Sequence, residues 1–397
     1  MSRRLRVLVS AFGATGHVFP ALALAGRLRD RRHEIWFESL EPWREVVEER
    51  GFHFIPAPEY IALPQPLPGT PTTPTLAQSA QALVPVLRDV DPDVVVNDFF
   101  TQPATLASEL GGVRRATLIP HPYPVNEPGL PSAYVGLLAP RTPVGAIAWR
   151  LAQPWFARQA RQERADLNDV REELGLPPID RLYGGISDEL AMVATFPQLE
   201  YPRRWPSYVH VTGPMLYELP HPDIDLPPGE APLVVVAAST AMDHELRLVQ
   251  ATLQALEGEP VRVLAVLNQK GREWPDPVPA NAIVVDWASY SQVMPRASLI
   301  VCNGGHGTVV RALAEGVPLV VRPAGGDMGE NGARVTWAGA GLMVPRPLLA
   351  PAPLRWAVRR VLADPRFVAR AQAIAAWGRE NDGTSLGASL VERHARA

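Results

Sequence analysis

The chain has 397 residues, of which 47% are hydrophobic and 20% charged, and these values are typical of a globular protein with two domains. The formal net charge is −3, so no strong basic field favours nucleic acid as a partner. With a single cysteine, Cys302, the chain cannot form an intrachain disulfide.

The sequence predicts neither a membrane span nor a signal peptide. It contains no run of about 18 uninterrupted apolar residues, so we expect no integral membrane segment. The first apolar run, at 6–11, is short and is typical of a strand. We therefore expect a cytoplasmic protein, a setting that also fits the single cysteine.

The first half of the chain alternates short apolar runs with helical patterns. Strands are predicted at 6–11, 34–38, 53–56, 94–97 and 115–119. Helices are predicted at 18–29, 42–50, 76–89 and 103–110. Strands that alternate with helices in this way form a parallel, doubly wound sheet.

The middle of the chain, 121–190, is less regular. Its stretch 134–155 is rich in Leu, Ala, Pro and Trp. One interpretation is that packed helices cap the sheet here. The other is a lipophilic acceptor pocket or a membrane-facing patch.

A proline-rich break at 215–231 separates two domains, and the alternation then restarts. Strands are predicted at 233–238, 261–267, 283–285, 299–301 and 318–321. Helices are predicted at 244–256, 306–315 and 330–337, with more across 351–396. We therefore divide the chain into an N-terminal domain (1–214), the linker and a C-terminal domain (232–375). The last segment, 376–397, fits a helix that packs back on the first domain or one that caps its own.

Two sheets of this kind bind ligands at the carboxyl ends of their strands, so a cleft between the domains is the expected site. A glycine-rich turn lies at such a strand end in the second domain. It comprises Asn303, Gly304, Gly305, His306, Gly307 and Thr308. Its glycines let the backbone approach a ligand closely, and the N-terminus of the following helix favours an anion. The turn predicts anion binding, although similar turns also occur without a ligand.

A second polar segment follows the next predicted strand and contains Asp327, Met328, Glu330 and Asn331. The spacing i, i+3, i+4 places the three polar residues on one helical face. Their carboxylates are either helix caps or acceptors of hydrogen bonds from sugar hydroxyls.

Two further residues follow strands of the second domain. Thr240 could contact a phosphate oxygen, although nearby Asp243 could equally cap the next helix. Trp287 could stack on a nucleobase or belong to the core.

In the first domain, His17 follows the first strand and Asp98 follows a later one. An imidazole has a suitable pKa to take a proton from a hydroxyl group, and an aspartate can orient it. A histidine that only caps a helix is the alternative.

Other chemistries lack their sequence patterns. No zinc-ligand spacing, serine nucleophile elbow or Gly-x-x-x-x-Gly-Lys loop occurs. An NAD-dependent oxidoreductase would need Gly-x-Gly-x-x-Gly after the first strand, and Gly13 and Gly16 do not fit that spacing.

Taken together, these motifs resemble those of family 1 glycosyltransferases with the GT-B fold, especially the bacterial natural-product and macrolide enzymes of the UDP-glycosyltransferase superfamily. The resemblance is carried by the Gly-His-Val-Phe-Pro run at 16–20, by 303–308 with Gly-Val-Pro at 316–318, and by 327–331. It covers essentially the whole chain. It implies an α/β protein of two Rossmann-like domains with doubly wound parallel sheets, facing an interdomain cleft.

The resemblance also implies roles. His17 would be the general base and Asp98 its partner. The donor diphosphate would lie on 303–308 with Thr240 nearby, Trp287 would flank the nucleobase, and Asp327 would hold the donor sugar. The family inverts the anomeric carbon and needs no metal or other cofactor. Its co-substrates would be a nucleotide sugar and a lipophilic small molecule; the pattern leaves the oligomeric state open.

Three departures from the family pattern concern the donor. Asn303 stands where a histidine is common, and His306 is a candidate to replace it. Met328 stands where a glutamine is usual, and Arg311 stands where plant relatives bind ribose with a glutamate. Arginine cannot accept those hydrogen bonds, which indicates either a deoxyribose donor or a different ribose contact and slightly favours a dTDP-sugar over a UDP-sugar. A non-catalytic helper of another transferase and a lipid-acceptor transferase of the same fold are the alternatives.

Overall fold

A computed structural model describes residues 3–57, 74–181, 183–220, 223–240 and 242–397. Its N-terminal domain is built on a parallel sheet of seven strands in the order β3-β2-β1-β4-β5-β6-β7. The strands are β1 (Arg6–Ser10), β2 (Glu34–Ser39), β3 (His53–Pro56), β4 (Val94–Asp98), β5 (Arg115–Ile119), β6 (Ala191–Val193) and β7 (Val209–Val211). All five residues of β4 and of β5 are buried, as expected for a sheet covered on both faces.

Helices cover both faces of this sheet. They are α1 (Thr15–Asp30), α2 (Arg44–Glu49), α3 (Leu76–Val90), α4 (Gln102–Gly111) and α5 (Pro143–Glu173). α3 begins with a capping box, in which the Thr75 side chain accepts a hydrogen bond from the Gln78 N–H and the Gln78 side chain bonds back to the Thr75 N–H.

The C-terminal domain repeats the plan with a six-stranded parallel sheet in the order β10-β9-β8-β11-β12-β13. Its strands are β8 (Leu233–Ala237), β9 (Arg262–Val266), β10 (Ala282–Val285), β11 (Leu299–Cys302), β12 (Leu319–Val321) and β13 (Gly341–Met343). Its helices are α6 (Arg247–Leu256), α7 (Tyr290–Val293), α8 (His306–Ala314), α9 (Met328–Ala338), α10 (Pro351–Ala363), α11 (Pro365–Glu380) and α12 (Gly383–Arg396).

The two doubly wound parallel sheets predicted from the alternation are confirmed. The short strands β6, β7 and β13 were not predicted, since three residues carry little periodicity; β12, of the same length, was predicted at 318–321.

The last helix, α12, lies against α1 of the N-terminal domain. Leu390 and Val391 are buried in the same core cluster as Leu24. Arg31 of the N-terminal domain bonds Glu392 at 3.0 Å, and His33 bonds the same carboxylate at 2.7 Å. The chain therefore crosses back and joins the two domains a second time.

The interpretation of 134–155 as packed helices is wrong for most of the stretch. A single long helix, α5, begins at Pro143, and its first half leaves Val144, Leu151 and Trp155 exposed. Only its second half packs, where Leu167 meets Leu106 of α4.

Within the described residues, no helix is both long enough and apolar enough to span a membrane.

Candidate active site

His17 lies in the first turn of α1, directly after β1. Its Nδ1 is 2.8 Å from Oδ2 of Asp98, the last residue of β4. β1 and β4 are adjacent and parallel, so their carboxyl ends meet at one edge of the sheet. The structure therefore brings together the two residues predicted to form a base and its partner.

The Asp98 carboxylate is held on both oxygens. Oδ1 accepts a hydrogen bond from the Phe100 N–H at 2.8 Å, while Oδ2 faces His17. The backbone carbonyl of Asp98 accepts from the Thr101 hydroxyl at 2.8 Å. Because a carboxylate can only accept, Nδ1 of His17 carries a proton, and the neutral ring keeps its lone pair on Nε2.

Burial alone lowers the pKa of His17, but the Asp98 carboxylate outweighs it, and Asp327 across the cleft adds a smaller effect of the same sign. The net pKa is raised above 6.5. This shift makes the ring a stronger proton acceptor than a free imidazole.

Aromatic rings surround His17. Their centroids lie 5.4 Å (Phe12), 6.2 Å (Phe99), 5.1 Å (Phe100) and 6.2 Å (His121) from the imidazole centroid. The rings of this wall are apolar except for the histidine nitrogens.

Sequence reasoning missed His121. It lies two residues after β5, and the strand-end argument that identified Asp98 would have found it. Nδ1 donates to the carbonyl of Pro122 at 2.8 Å, whereas Nε2 is buried without a partner among the described residues. Burial lowers the pKa of His121, and nearby His17 adds to that effect, so the ring stays neutral and Nε2 is a free acceptor.

Across the cleft, the glycine turn after β11 presents the N-terminus of α8. Gly304 has φ of +92°, a conformation that favours glycine, and Gly305 caps the helix with φ of −55°. A Cβ at Gly305 or at Gly307 would meet no atom within 4 Å. Both glycines thus border open space at the N-terminus of α8, where the first backbone N–H groups of a helix lack intrahelical partners and can bind an anion.

This turn borders a cavity of about 240 Å³ between the domains. Its wall includes Thr240, Trp287, Asn303, Gly305, His306, Gly307, Thr308 and Met328 from the C-terminal domain, and Thr15, Gly16 and Phe19 from α1. The structure thus gathers most of the residues predicted to bind the donor's phosphates and base.

Asn303 ties this turn to the loop after β8. Its Oδ1 accepts a hydrogen bond from the Ser239 N–H at 2.8 Å, and its Nδ2 lies 3.5 Å from both Asp243 Oδ2 and the Arg322 carbonyl. Asp243 itself accepts from the N–H groups of Arg247 and Leu248, so it caps α6. The predicted phosphate contact of Asn303 stays a prediction; its amide already holds the neighbouring turn.

His306 is buried, and its Nδ1 lies 3.3 Å from Oδ1 of Asn331. Burial, with a contribution from His121, lowers the pKa of His306 to about 4. The ring is therefore neutral at pH 7 and adds no positive charge to the turn.

Asp327 does not cap α9, because its carboxylate makes no hydrogen bond to the backbone of the first turn. Instead, Oδ2 accepts from Nδ2 of Asn331 at 2.9 Å. Asp327 also acts electrostatically on His17 and His121, which places its charge toward the N-terminal half of the cleft. The cap interpretation of this residue is wrong.

Glu330 lies elsewhere. Its Oε1 accepts from Arg334 Nε at 2.8 Å, and Arg334 also donates to Glu200 Oε2 at 2.9 Å and to the Leu199 carbonyl at 2.8 Å. All three charged side chains are buried. The prediction that Glu330 faces the donor sugar is therefore corrected: its carboxylate belongs to an ion-pair network that joins the domains.

Arg311 points to the linker. It donates to the Tyr217 carbonyl at 2.9 Å and lies 3.8 Å from Glu218. Trp287 is half-buried on the cavity wall, with Nζ of Lys270 5.6 Å from its ring centroid.

Two facing Rossmann-like domains, with a histidine–aspartate pair on one edge of the cleft and an open helix N-terminus on the other, have the architecture of a GT-B transferase. Two family models match the chain. The N-terminal domain model of glycosyltransferase family 28 matches residues 7–116, and the model of the erythromycin biosynthesis protein CIII-like C-terminal domain matches residues 247–380.

Named relatives match over nearly the full length. The chain is 30% identical over 393 residues to 4'-demethylrebeccamycin synthase of Lentzea aerocolonigenes, covering 91% of this chain and 93% of that protein. It is 27% identical over 427 residues to O-mycaminosyltylonolide 6-deoxyallosyltransferase of Streptomyces fradiae, covering 98% of each. It is 28% identical over 426 residues to UDP-glucosyltransferase 1 of Beauveria bassiana, covering 93% and 91%.

Solved structures share the fold. The calicheamicin glycosyltransferase CalG4 superposes with a TM-score of 0.77 at 20% identity, over 99% of this chain and 98% of its own. The glycosyltransferase VinC in complex with dTDP gives 0.71 at 20% identity, over 99% and 100%. The chain belongs to the family of natural-product glycosyltransferases with the GT-B fold.

Proposed function

We propose that this enzyme transfers a hexose, with inversion and without a metal, from a UDP- or dTDP-sugar to a hydroxyl group of a lipophilic small molecule. The observation that carries the proposal is the His17–Asp98 pair, 2.8 Å apart, on the edge of the cleft opposite the open N-terminus of α8.

In the proposed step, Nε2 of His17 takes the proton from the acceptor hydroxyl while its oxygen attacks the anomeric carbon of the donor. The bond between that carbon and the diphosphate oxygen breaks, and the nucleoside diphosphate leaves. Asp98 stabilises the imidazolium ion that forms. A single displacement of this kind inverts the anomeric carbon.

The leaving diphosphate would lie on the first turn of α8, where Gly305 and Gly307 leave the backbone open. The N–H groups and the positive end of the helix dipole would stabilise its charge, which is why we propose a reaction without a metal or another cofactor. Trp287 on the cavity wall has the flat face that a nucleobase stacks on.

Both donor nucleotides have support. VinC binds dTDP, and UDP-glucosyltransferase 1 carries UDP in its name. Arg311 is held by the linker carbonyl of Tyr217 and has no acceptor for ribose hydroxyls, which slightly favours the deoxyribose of dTDP. A lipophilic acceptor fits the aromatic wall around His17.

The decisive experiment is turnover of His17→Ala with a panel of nucleotide sugars and aglycones. We expect kcat to fall by about 100-fold or more, the lower end of general-base contributions. Calorimetric binding of UDP or dTDP should be unchanged, because the diphosphate site lies on the other domain. His53→Ala is the matched control, since His53 is exposed on β3, where it stacks on Trp36 and lies 3.6 Å from Glu34. Full turnover in His17→Ala would remove the base assignment.

A further inference from the structure

The first half of α5 presents large apolar side chains to solvent. Val144 is 76% exposed, Ile147 55%, Leu151 79% and Trp155 84%. Their spacing of three, four and four residues places them in one stripe along the helix. A stripe of this kind normally faces a core, and here it faces outward.

The stripe belongs to a larger patch. Of the thirteen large apolar side chains that are exposed in the described part of the chain, seven lie between residues 134 and 155. Besides the stripe they include Tyr134, Leu137 and Leu138 from the preceding loop. Exposed apolar side chains are usually scattered, so this concentration marks an interaction surface.

The charged residues within and directly beside the stripe are arginines, and the nearest carboxylate along the helix is Glu163. Between residues 128 and 162 the charged residues are Arg141, Arg150, Arg158 and Arg161, and no Asp or Glu occurs. All four arginines are exposed, and none forms an ion pair with a carboxylate of the described residues. We call the surface formed by residues 134–161 the α5 face.

We propose that the α5 face docks on an anionic membrane surface. An amphipathic helix with Trp, Leu and Ile on one side and arginines beside them lies in the plane of the interface. Its apolar stripe enters the boundary between headgroups and acyl chains, and its guanidinium groups bind the anionic headgroups.

A second copy of the chain fits the same surface less well. In a two-fold dimer the same patch meets itself, so four arginines would face four arginines without a carboxylate between them. An anionic lipid surface supplies the opposite charge to every arginine at once.

The α5 face continues into the cleft. The ring of Tyr134 lies 6.1 Å from His121, whose own ring lies 6.2 Å from His17. A lipophilic acceptor dissolved in the membrane would thus reach the base along an apolar path. This route rests on the proposed function, whereas the docking itself does not.

The test is co-sedimentation of the full chain with vesicles of phosphatidylcholine alone or mixed with phosphatidylglycerol. We expect wild type to bind the mixed vesicles, and less so at high salt. Trp155→Glu and Leu151→Glu should each weaken binding by about tenfold or more. Arg150→Gln and Arg158→Gln should each weaken it by roughly fivefold at low salt.

Trp356→Glu is the matched control. Trp356 is 63% exposed on α10, but Arg355 and Arg359 beside it are paired with Glu259. Its replacement should leave vesicle binding unchanged. Equal binding by wild type and Trp155→Glu overturns the proposal. The proposal is also overturned if the wild type does not bind vesicles but forms dimers, or binds a protein partner, through the same residues.

Turnover of a water-soluble acceptor separates this proposal from the proposed function. Trp155→Glu should keep that turnover, because the side chain is 84% exposed and does not line the cavity between the domains. Loss of vesicle binding with full turnover supports the docking, and absence of vesicle binding in a fully active wild type defeats the docking alone.

Discussion

The two halves of the cleft differ in the chemical groups that form them. The N-terminal half consists of ionisable side chains in apolar surroundings, with His17 on Asp98, His121 beside them and Glu38 buried on β2. The C-terminal half is centred on a glycine turn and the N-terminus of α8. Moving a proton requires a group whose pKa is tuned by its neighbours, whereas holding a diphosphate requires fixed N–H groups without a net charge of their own.

The histidines show the same contrast. The pKa of His17 is raised, because the Asp98 carboxylate outweighs burial, while burial lowers the pKa of His306 to about 4. The pKa of the same residue type is thus raised on one side of the cleft and lowered on the other. The predictions below test this division, beginning with the largest expected effect.

The largest effect is expected for Asp98→Asn, which removes the carboxylate that tunes the base. We expect kcat/KM to fall by about 1,000-fold, or about 4 kcal/mol, because the imidazolium ion loses its partner. His17 must be neutral to accept a proton, so the wild-type rate should rise with pH through a pKa above 6.5. In Asp98→Asn only the smaller effect of Asp327 opposes burial, so the pKa of His17 should fall and this acid limb should move to lower pH.

The pH profile of kcat/KM for the two proteins measures both effects. Asp93→Asn serves as the control, because Asp93 bonds the Arg6 N–H at 2.8 Å at the opposite end of β4. It should leave the acid limb in place. If the acid limb of the Asp98→Asn profile lies at the wild-type pH, a group other than Asp98 sets the pKa of His17.

Substitutions in the glycine turn should act through backbone strain and steric overlap rather than through charge. Gly304 has φ of +92°, and a Cβ there would lie 2.6 Å from Val321 Cγ1 and 2.9 Å from the Met328 carbonyl oxygen. We expect Gly304→Ala to lower the free energy of unfolding by about 4 kcal/mol, from backbone strain and overpacking together.

Gly305→Ala is the matched partner of that variant. Its φ of −55° suits alanine, and its Cβ would meet nothing within 4 Å. We expect a wild-type melting temperature but roughly tenfold weaker binding of UDP or dTDP, because the methyl group enters the proposed phosphate site. Thermal unfolding measures the stability of both variants, and calorimetry measures their affinity for UDP or dTDP. Equal stability of the two variants would contradict the prediction.

Local rules predicted most of the fold and part of the site. Apolar periodicity defined the parallel sheets, and the rule that strand ends share an edge brought His17 to Asp98. The same rules failed for Glu330, because its partners are Arg334, one helical turn away, and Glu200 on the other domain. A spacing pattern cannot show which distant side chain will meet a carboxylate.

The prediction that the apolar stripe of α5 packs against a core was wrong for a related reason. Apolar residues at helical spacing predict a face that packs, and nothing in the spacing tells whether a neighbour is present. In the structure, the described part of the chain places no core residue over Leu151 or Trp155. Exposure is a property of the whole fold, so it became visible only there.

The last prediction concerns Glu38, which is buried at the carboxyl end of β2. Burial raises the pKa of Glu38 to about 7 from 4.5, only partly opposed by a hydrogen bond from Ser10. Between these two pKa values the folded chain binds more protons than the unfolded chain, so this residue makes stability fall as pH rises. The difference amounts to about 3 kcal/mol and is complete above pH 7.

Glu38→Gln has no such proton, so its stability relative to wild type should increase by about 3 kcal/mol between pH 4 and pH 8. Urea unfolding at the two pH values measures this change, and other titrating groups cancel because both proteins share them. Glu34→Gln on the same strand is the control, since Glu34 is partly exposed and pairs with Arg4 at 3.3 Å. Its difference from wild type should change by less than about 1 kcal/mol. If the free energies of unfolding of Glu38→Gln and wild type change equally between the two pH values, the Glu38 carboxyl group is solvated. The ionisable half of the cleft would then be limited to His17 and its partners.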